Sequence, residues 1–509
     1  MQGVRTTRGC VNCRQKKKGC DLKKPTCGRC LRLKIPCAFE DRKYVFVGQD
    51  AGSNLITKSL ISTSDTSLAR TDFSIIMDEY FWTNYLPQED PSLDGSIGGI
   101  LSAPWIPSVR ELANSHTDVR NAIQACAMAG LGWMNEDRTL IMRAGWLYAQ
   151  ALRQTNMALQ DPISACDDSV LACCRLLTLF EMFRRITSDP ATKDPSRNQV
   201  ADWRLHVNGT CRLVQLRGRE RHLSTFGTEL YDGVRLTAII QGLARRRPNT
   251  FTQLEWRLPS LNMRDELYEL INPAPQLLEE LDMFRESEAV VKTDLASRQH
   301  IVLGTTLLER CLDIRNALRE WETKIMVICR EKQSFTGWMS RPPSSSSSTW
   351  DFTVPSYSID LREPSAVRVD EQGLSLYDVC RLHGHGFFST CTMYWTMCSI
   401  MYSSLRTHQQ QLQAFMNIWT PGEVLPSLPE WVSPELSALS VAQVAGHFFK
   451  PGMGLWAAHA AVFPVSHALC YFAKTGRRDS PAFESMINAF ANSKTGVIMR
   501  DFLDAIGIK

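Results

Sequence analysis

Six cysteines between Cys10 and Cys37 constrain this chain more than any other feature. They stand as C-x2-C-x6-C-x6-C-x2-C-x6-C, and the second three repeat the first three at an offset of seventeen: Cys10 with Cys27, Cys13 with Cys30, Cys20 with Cys37. The repeat predicts two similar half-modules facing each other across the loop that contains Pro25. Between the outer cysteines only Val11, Leu22, Leu31, Leu33, Ile35 and a few small residues are apolar, too few for a hydrophobic core. Segments below about 40 residues usually need disulfides, metal or a partner to fold. The basic residues beside the C-x2-C pairs favour thiolate ligation of zinc over disulfides. So does an N-terminus, MQGVRTTRGC, without the apolar run of a signal peptide. Zinc takes four ligands. Six thiolates satisfy two such sites only if two are shared, and no histidine completes the set, because the first in the chain is His116.

What lies between the ligands is basic. Arg14-Gln15-Lys16-Lys17-Lys18 follows Cys13, and Leu31-Arg32-Leu33-Lys34 follows Cys30. Each is expected to form a short helix, the first being the more basic. Lysine donates to guanine O6 and N7 in the major groove, a pairing that discriminates bases.

The C-x2-C-R-x-K-K pattern at Cys10 to Lys17, the pair Cys20-Asp21 and the P-x-C-x2-C at Pro25 to Cys30 resemble the fungal binuclear zinc cluster (Zn2Cys6) DNA-binding domain. In that family the first and fourth cysteines bridge. The resemblance implies one Zn2+ held by Cys10, Cys13, Cys20 and Cys27, and a second held by Cys10, Cys27, Cys30 and Cys37. It also implies that Lys16 and Lys17 read a CGG-type triplet. Arg14, Lys18 and Lys23 are then candidates for phosphate contacts, which position a protein without reading sequence. Gly19 departs from the family, which usually carries another Lys or Arg before the third cysteine; the change removes a candidate phosphate contact and no ligand.

Charge separates this segment from the rest. Residues 1–43 hold 13 Lys+Arg against 3 Asp+Glu, whereas the remainder holds 44 against 50. A basic module on a mildly acidic body points to an anionic partner for the module alone. The expected organisation is a DNA-binding module over 1–43, a linker over 44–70 and an all-α regulatory domain over 71–509. The linker is rich in Gly, Ser, Thr and Asp, with one short apolar run, Tyr44 to Val47, and no apolar heptad that would pair two fingers.

From about Thr71 onward the periodicity is helical. Leu140, Ala144, Leu147, Ala151 and Leu152 make one stripe, and Trp203, Val207, Cys211 and Val214 another. The stretch Ser334 to Pro364, with its run Ser344 to Ser348, reads as an insertion. The segments Asp202 to Gly218 and Trp456 to Phe472 resemble the regulatory domain that follows the zinc cluster in many fungal regulators, which implies an all-α array. No stretch approaches the roughly 18 apolar residues of a membrane span; the richest, Gly454 to Phe472, contains Pro464 and two histidines and reads as a buried helix. The other 11 cysteines lack ligand spacing and read as reduced core residues.

Several features have a functional and a structural reading, and the structural one is favoured in each. Arg245-Arg246-Arg247 before Pro248 fits a helix C-terminus better than a second nucleic-acid patch. His383 and His385 lack a third ligand, and His206 beside Trp203 reads as a packed histidine. Asp78 to Leu86 reads as an amphipathic helix, with Phe73, Ile76, Tyr80 and Phe81 inward, rather than an activation segment. Leu307, Cys311, Ile314, Leu318, Trp321, Ile325 and Ile328 keep heptad spacing; an internal helix is favoured, although this stripe is the best candidate for a dimer seam.

The function expected is sequence-specific transcription regulation of RNA polymerase II genes in the nucleus, with two Zn2+ per chain. The partners expected are double-stranded DNA carrying CGG-type half-sites and the transcription machinery or co-regulators, but no membrane; a homodimer is left open. A RING-like zinc interaction module needs eight ligands, and only six exist here. An enzyme in the helical body is disfavoured because the chain shows no Gly-rich phosphate loop, no G-x-S-x-G and no H-E-x-x-H.

Overall fold

Every regular element among the described residues is a helix. The computed structural model of the chain describes residues 12–13, 16, 18, 20–21, 23, 26–37, 68–87, 105–183, 199–258, 262–336, 376, 385–450 and 452–497. The chain divides into two compact units, Met1–Ile76 and Met77–Lys509. The helices, in order, are α1 (Gly28–Arg32), α2 (Leu68–Asn84), α3 (Trp105–Ser115), α4 (Thr117–Met134), α5 (Arg138–Ala158), α6 (Asp168–Phe183), α7 (Gln199–Arg217) and α8 (Thr225–Arg245). They continue with α9 (Met263–Ile271), α10 (Ala274–Ser287), α11 (Asp294–Thr336), α12 (His385–Trp419), α13 (Pro434–Ala445), α14 (Gly454–Lys474) and α15 (Pro481–Ala491).

Helix starts in the larger unit are set by short polar side chains that satisfy the orphan amides of the first turn. Asp137 accepts from the N–H of Thr139 at 2.8 Å and of Leu140 at 3.3 Å to open α5. Asn262 does the same for Arg264 and Asp265 at α9. Ser433 and Ser480 cap α13 and α15, each followed by a proline whose missing N–H costs nothing there.

Packing begins with α4, buried continuously from Ala122 to Leu131 and set against α5 and α6. Close approach requires Gly132, where a Cβ would lie 2.9 Å from the Ile141 side chain and 3.1 Å from its backbone nitrogen. The α5 stripe faces in as expected, with Leu140, Ala144, Leu147 and Ala151 buried and Leu152 half-buried. On α7, Val207, Cys211 and Val214 are buried, whereas Trp203 is half-buried.

The heptad stripe of α11 is used inside the chain. Leu307, Cys311, Leu318, Trp321 and Ile325 are buried against α9, α10 and α12, with Ile314 and Ile328 half-buried. Trp321 Nε1 donates to the Met263 carbonyl at 2.8 Å, and its ring stacks on Tyr394 with centroids 5.1 Å apart. α14 is long and apolar enough to cross a membrane by length and composition, yet it packs against α12, α13 and α15 with Ala457, Ala461, Val465, Leu469 and Phe472 buried.

Of the other features, Arg245 ends α8, and Arg246 caps it in the left-handed region at φ 52°. Arg246 pairs with Asp282 at 2.6 Å and Arg247 pairs with Glu279, so two of the three arginines tie α8 to α10. His206 shares a 2.8 Å hydrogen bond with the Tyr148 hydroxyl and lies 3.7 Å from buried Glu181, inside the core. On α2 Phe81 is buried as expected, but its inward companions are Met77 and Tyr85, while Ile76 and Tyr80 are only half-buried. The Phe73 side chain, the His383 and His385 side chains, and residues 337–364 of the expected insertion lie outside the described residues; α11 itself runs on to Thr336. Burial raises the thiols of Cys126 and Cys173 and pushes those of Cys211, Cys311 and Cys398 up to about 12. Such thiols stay protonated and inert.

Candidate functional site

Among the described residues of the cysteine segment, sulfur takes the place of a hydrocarbon core. Cys13, Cys27 and Cys30 are buried, with Cys20, Ile35 and Cys37 partly buried against them. Leu31 and Leu33 are 68% and 52% exposed, so the leucines among the described residues do not hold the segment together.

The backbone presents these thiols. Asn12 and Cys13 lie in a helical turn, continued by amide bonds from Lys16 to the Asn12 carbonyl at 3.2 Å and from Lys18 to the Cys13 carbonyl at 2.9 Å. Cys27 caps α1, its sulfur accepting from the Cys30 N–H at 3.4 Å. The Cys27 N–H in turn donates to Cys37 Sγ at 3.3 Å. Amide donors directed at sulfur favour the thiolate over the thiol. α1 ends at Arg32, and Lys34 turns the chain in the left-handed region at φ 49°, so that the Ile35 amide reaches the Cys30 carbonyl at 3.1 Å. The second basic helix therefore starts before Cys30 and excludes Leu33 and Lys34. Asn12 Nδ2 donates to the Pro36 carbonyl and joins the two ends of the motif.

Two thiol groups result. The ligand atoms of Cys13, Cys20 and Cys27 all lie within 4.8 Å of one another, as do those of Cys27, Cys30 and Cys37. Cys27 belongs to both. Cys13 Sγ and Cys27 Sγ are 3.8 Å apart. A tetrahedron with zinc–sulfur bonds of about 2.3 Å has edges of about 3.8 Å, whereas a disulfide needs about 2.05 Å. The donor set therefore fits zinc, with a third cysteine completing each described triad. Cys10, the expected second shared ligand, lies outside the described residues.

Around this centre Lys16, Lys18, Lys23, Arg32 and Lys34 are exposed, free to face a polyanion. Arg14 and Lys17 lie outside the described residues. One residue with a structural part went unassigned in the sequence: Asp21, whose carboxylate accepts from the Gly28 N–H through Oδ1 at 3.0 Å and Oδ2 at 3.1 Å. The Cys20-Asp21 pair flagged it, but its partner, seven residues on, is visible only in three dimensions.

Residues 8–44 match the fungal Zn(2)-Cys(6) binuclear cluster domain, and residues 93–330 match the fungal specific transcription factor domain. An uncharacterized protein of Emericella nidulans, AN5342, is 26% identical over 177 residues, which cover 35% of this chain and 35% of that protein. No solved structure matches the chain. The paired thiol groups agree with the first match and the helical body with the second: the chain carries a fungal Zn(2)-Cys(6) binuclear cluster domain, a domain that binds two zinc ions, followed by a fungal specific transcription factor domain.

Proposed function

We propose that the chain acts in the nucleus on RNA polymerase II genes by reading CGG-type triplets through its zinc cluster. In this reading Cys10, Cys13, Cys20 and Cys27 hold one zinc, Cys10, Cys27, Cys30 and Cys37 hold the other, and Cys10 and Cys27 bridge. The observation that supports it most is the place of Cys27 in both thiol groups. Zinc neutralises the thiolates and fixes the two half-modules; the chain's own lysines then meet the DNA. Lys16 and Lys17 reach guanine edges, while Arg14, Lys18 and Lys23 meet phosphates. Residues 44–70 serve as a linker and 71–509 as the regulatory body, which engages the transcription machinery or co-regulators. Whether two copies pair on DNA depends on surfaces other than the α11 stripe, which is already packed within the chain. The test is fluorescence anisotropy of the full-length protein on CGG-containing and scrambled duplexes, with and without chelator. Selective binding that chelation abolishes supports the reading; equal affinity for both duplexes opposes it.

A further inference from the structure

The larger unit has a partly open cavity of about 250 Å3 between α6, α7, α8, α9, α12 and α14, with Trp105 of α3 at one side. An apolar cavity of about 150 Å3 takes one benzene ring, so this volume suits a fused two-ring molecule. Its walls are aromatic at Trp105, Trp203, Trp456 and Phe463. Three of these rings, Trp203, Trp456 and Phe463, are only half-buried although the surrounding helices are packed. Flat aromatic surface of this kind receives a planar apolar ligand.

Charge in the wall selects further. Asp232 is paired with Arg235 at 2.8 Å. Glu229 accepts from the Ser108 hydroxyl at 3.3 Å, and burial raises its carboxyl. Arg175 stacks on Trp105, its guanidinium carbon 3.7 Å from the ring centroid, and donates to the Glu229 carbonyl at 3.3 Å. Arg175 fits there because Gly233 has no side chain; a Cβ at that position would lie 1.7 Å from its Nη2. Arg204 differs: it lines the cavity, half-buried, with no acidic partner among the described residues. His459 also lines the cavity, and its Nδ1 is buried without a hydrogen-bond partner among the described residues. Burial, with the Arg175 charge adding, pushes that imidazole down to about 4, so it stays neutral at physiological pH. Arg264, which also lines the cavity, lies 3.7 Å from the Asp265 carboxylate, and the Glu229 charge balances that of Arg175, so Arg204 carries the surplus positive charge facing the cavity.

From this we infer that the cavity is a small-molecule site for a planar aromatic carboxylate, its ring system against Trp203 and Trp456 and its anion on Arg204. The site lies outside the zinc cluster and stands whether or not the cluster reads CGG. The probe is 2-naphthoate, with naphthalene-2-carboxamide as its neutral match, titrated into the zinc-loaded full-length protein by calorimetry. A charge-assisted hydrogen bond contributes about 1.5–3 kcal/mol, roughly ten- to a hundredfold in affinity. The carboxylate is expected to bind saturably and at least about tenfold more tightly than the carboxamide, and Arg204→Met should erase that difference while leaving the melting temperature unchanged. Ala460→Phe, which fills the cavity from α14, should abolish binding of both probes with the helical circular dichroism intact. Absence of saturable binding, equal affinity for carboxylate and carboxamide, or undiminished binding to folded Arg204→Met or Ala460→Phe overturns the proposal.

Discussion

The backbone N–H of Gly28 donates to both carboxylate oxygens of Asp21, joining the residue after the third cysteine to the residue after the fourth. A Cβ on residue 28 would lie 2.6 Å from Asp21 Oδ2. Gly28→Ala should displace the carboxylate and loosen the hinge between the half-modules without removing a sulfur. A single hydrogen bond to an exposed charged group contributes on the order of 1 kcal/mol. Zinc release to a chromogenic chelator should therefore be several-fold faster in Gly28→Ala and Asp21→Ala, and nearly normal in Asp21→Asn, whose amide oxygen still accepts. Unchanged release in all three variants removes this pair from the account.

On the proposed reading of DNA, Lys17 contacts a base edge and Lys23 a phosphate. Lys17→Ala should cost about 1–3 kcal/mol on a CGG duplex and much less on scrambled DNA. Lys23 is exposed beyond Cys20, and its replacement by Ala should weaken both duplexes about equally, with a shallower salt dependence. Both variants should keep two zinc ions. If Lys17→Ala weakens both duplexes equally, α1 with Arg32 becomes the reading candidate.

The α11 stripe makes a prediction about assembly. Leu318 is fully buried among its own chain's helices, so Leu318→Ala should destabilise the body by about 2–5 kcal/mol. Because the contacts are intramolecular, the fall in melting temperature from wild type to variant should be the same at every protein concentration. A concentration-dependent loss would show that the stripe also serves a dimer.

Acid stability follows from His222, buried beside Tyr231 and Trp256. Burial, with the Arg217 charge adding, pushes its imidazole down to about 4. A depressed folded value means that the neutral form stabilises the fold fully above the unfolded value, near 6.5, and that this contribution is lost as pH falls through about 4. Its full size is on the order of 3 kcal/mol. Asp232, raised to about 6 by burial, acts in the opposite sense and gains as pH falls through that value. Comparison with a variant isolates the histidine: in His222→Gln the helical melting temperature should fall less between pH 7 and pH 4.5 than in the wild type. An unchanged slope contradicts the assignment.

The metal centre was legible because its information is local. Six cysteine positions, a seventeen-residue repeat and the shortage of apolar residues all lie within one short segment, and exposed Leu31 and Leu33 agree with the absence of a hydrocarbon core among the described residues there. Helical periodicity likewise revealed the α5 and α11 stripes, since burial of one face imposes it. The inward face of α2 was only partly legible: Phe81 was expected and is buried, but Ile76, Met77 and Tyr80 offer overlapping apolar faces and only the neighbours select Met77. The cavity was not legible at all. Arg175, Arg204, Gly233 and His459 come from four helices, and nothing in the spacing of an arginine and a glycine 58 positions apart says that one rests on the other.

The sharing of Cys27 between two metals is tested most directly by zinc content, measured by elemental analysis on purified full-length variants. Wild type should hold two zinc ions per chain. Cys37→Ala, which removes a ligand from one thiol group, should retain close to one, whereas Cys27→Ala, which removes the sulfur common to both groups, should lose both. One zinc in the wild type, or equal residual zinc in Cys27→Ala and Cys37→Ala, contradicts the bridged cluster.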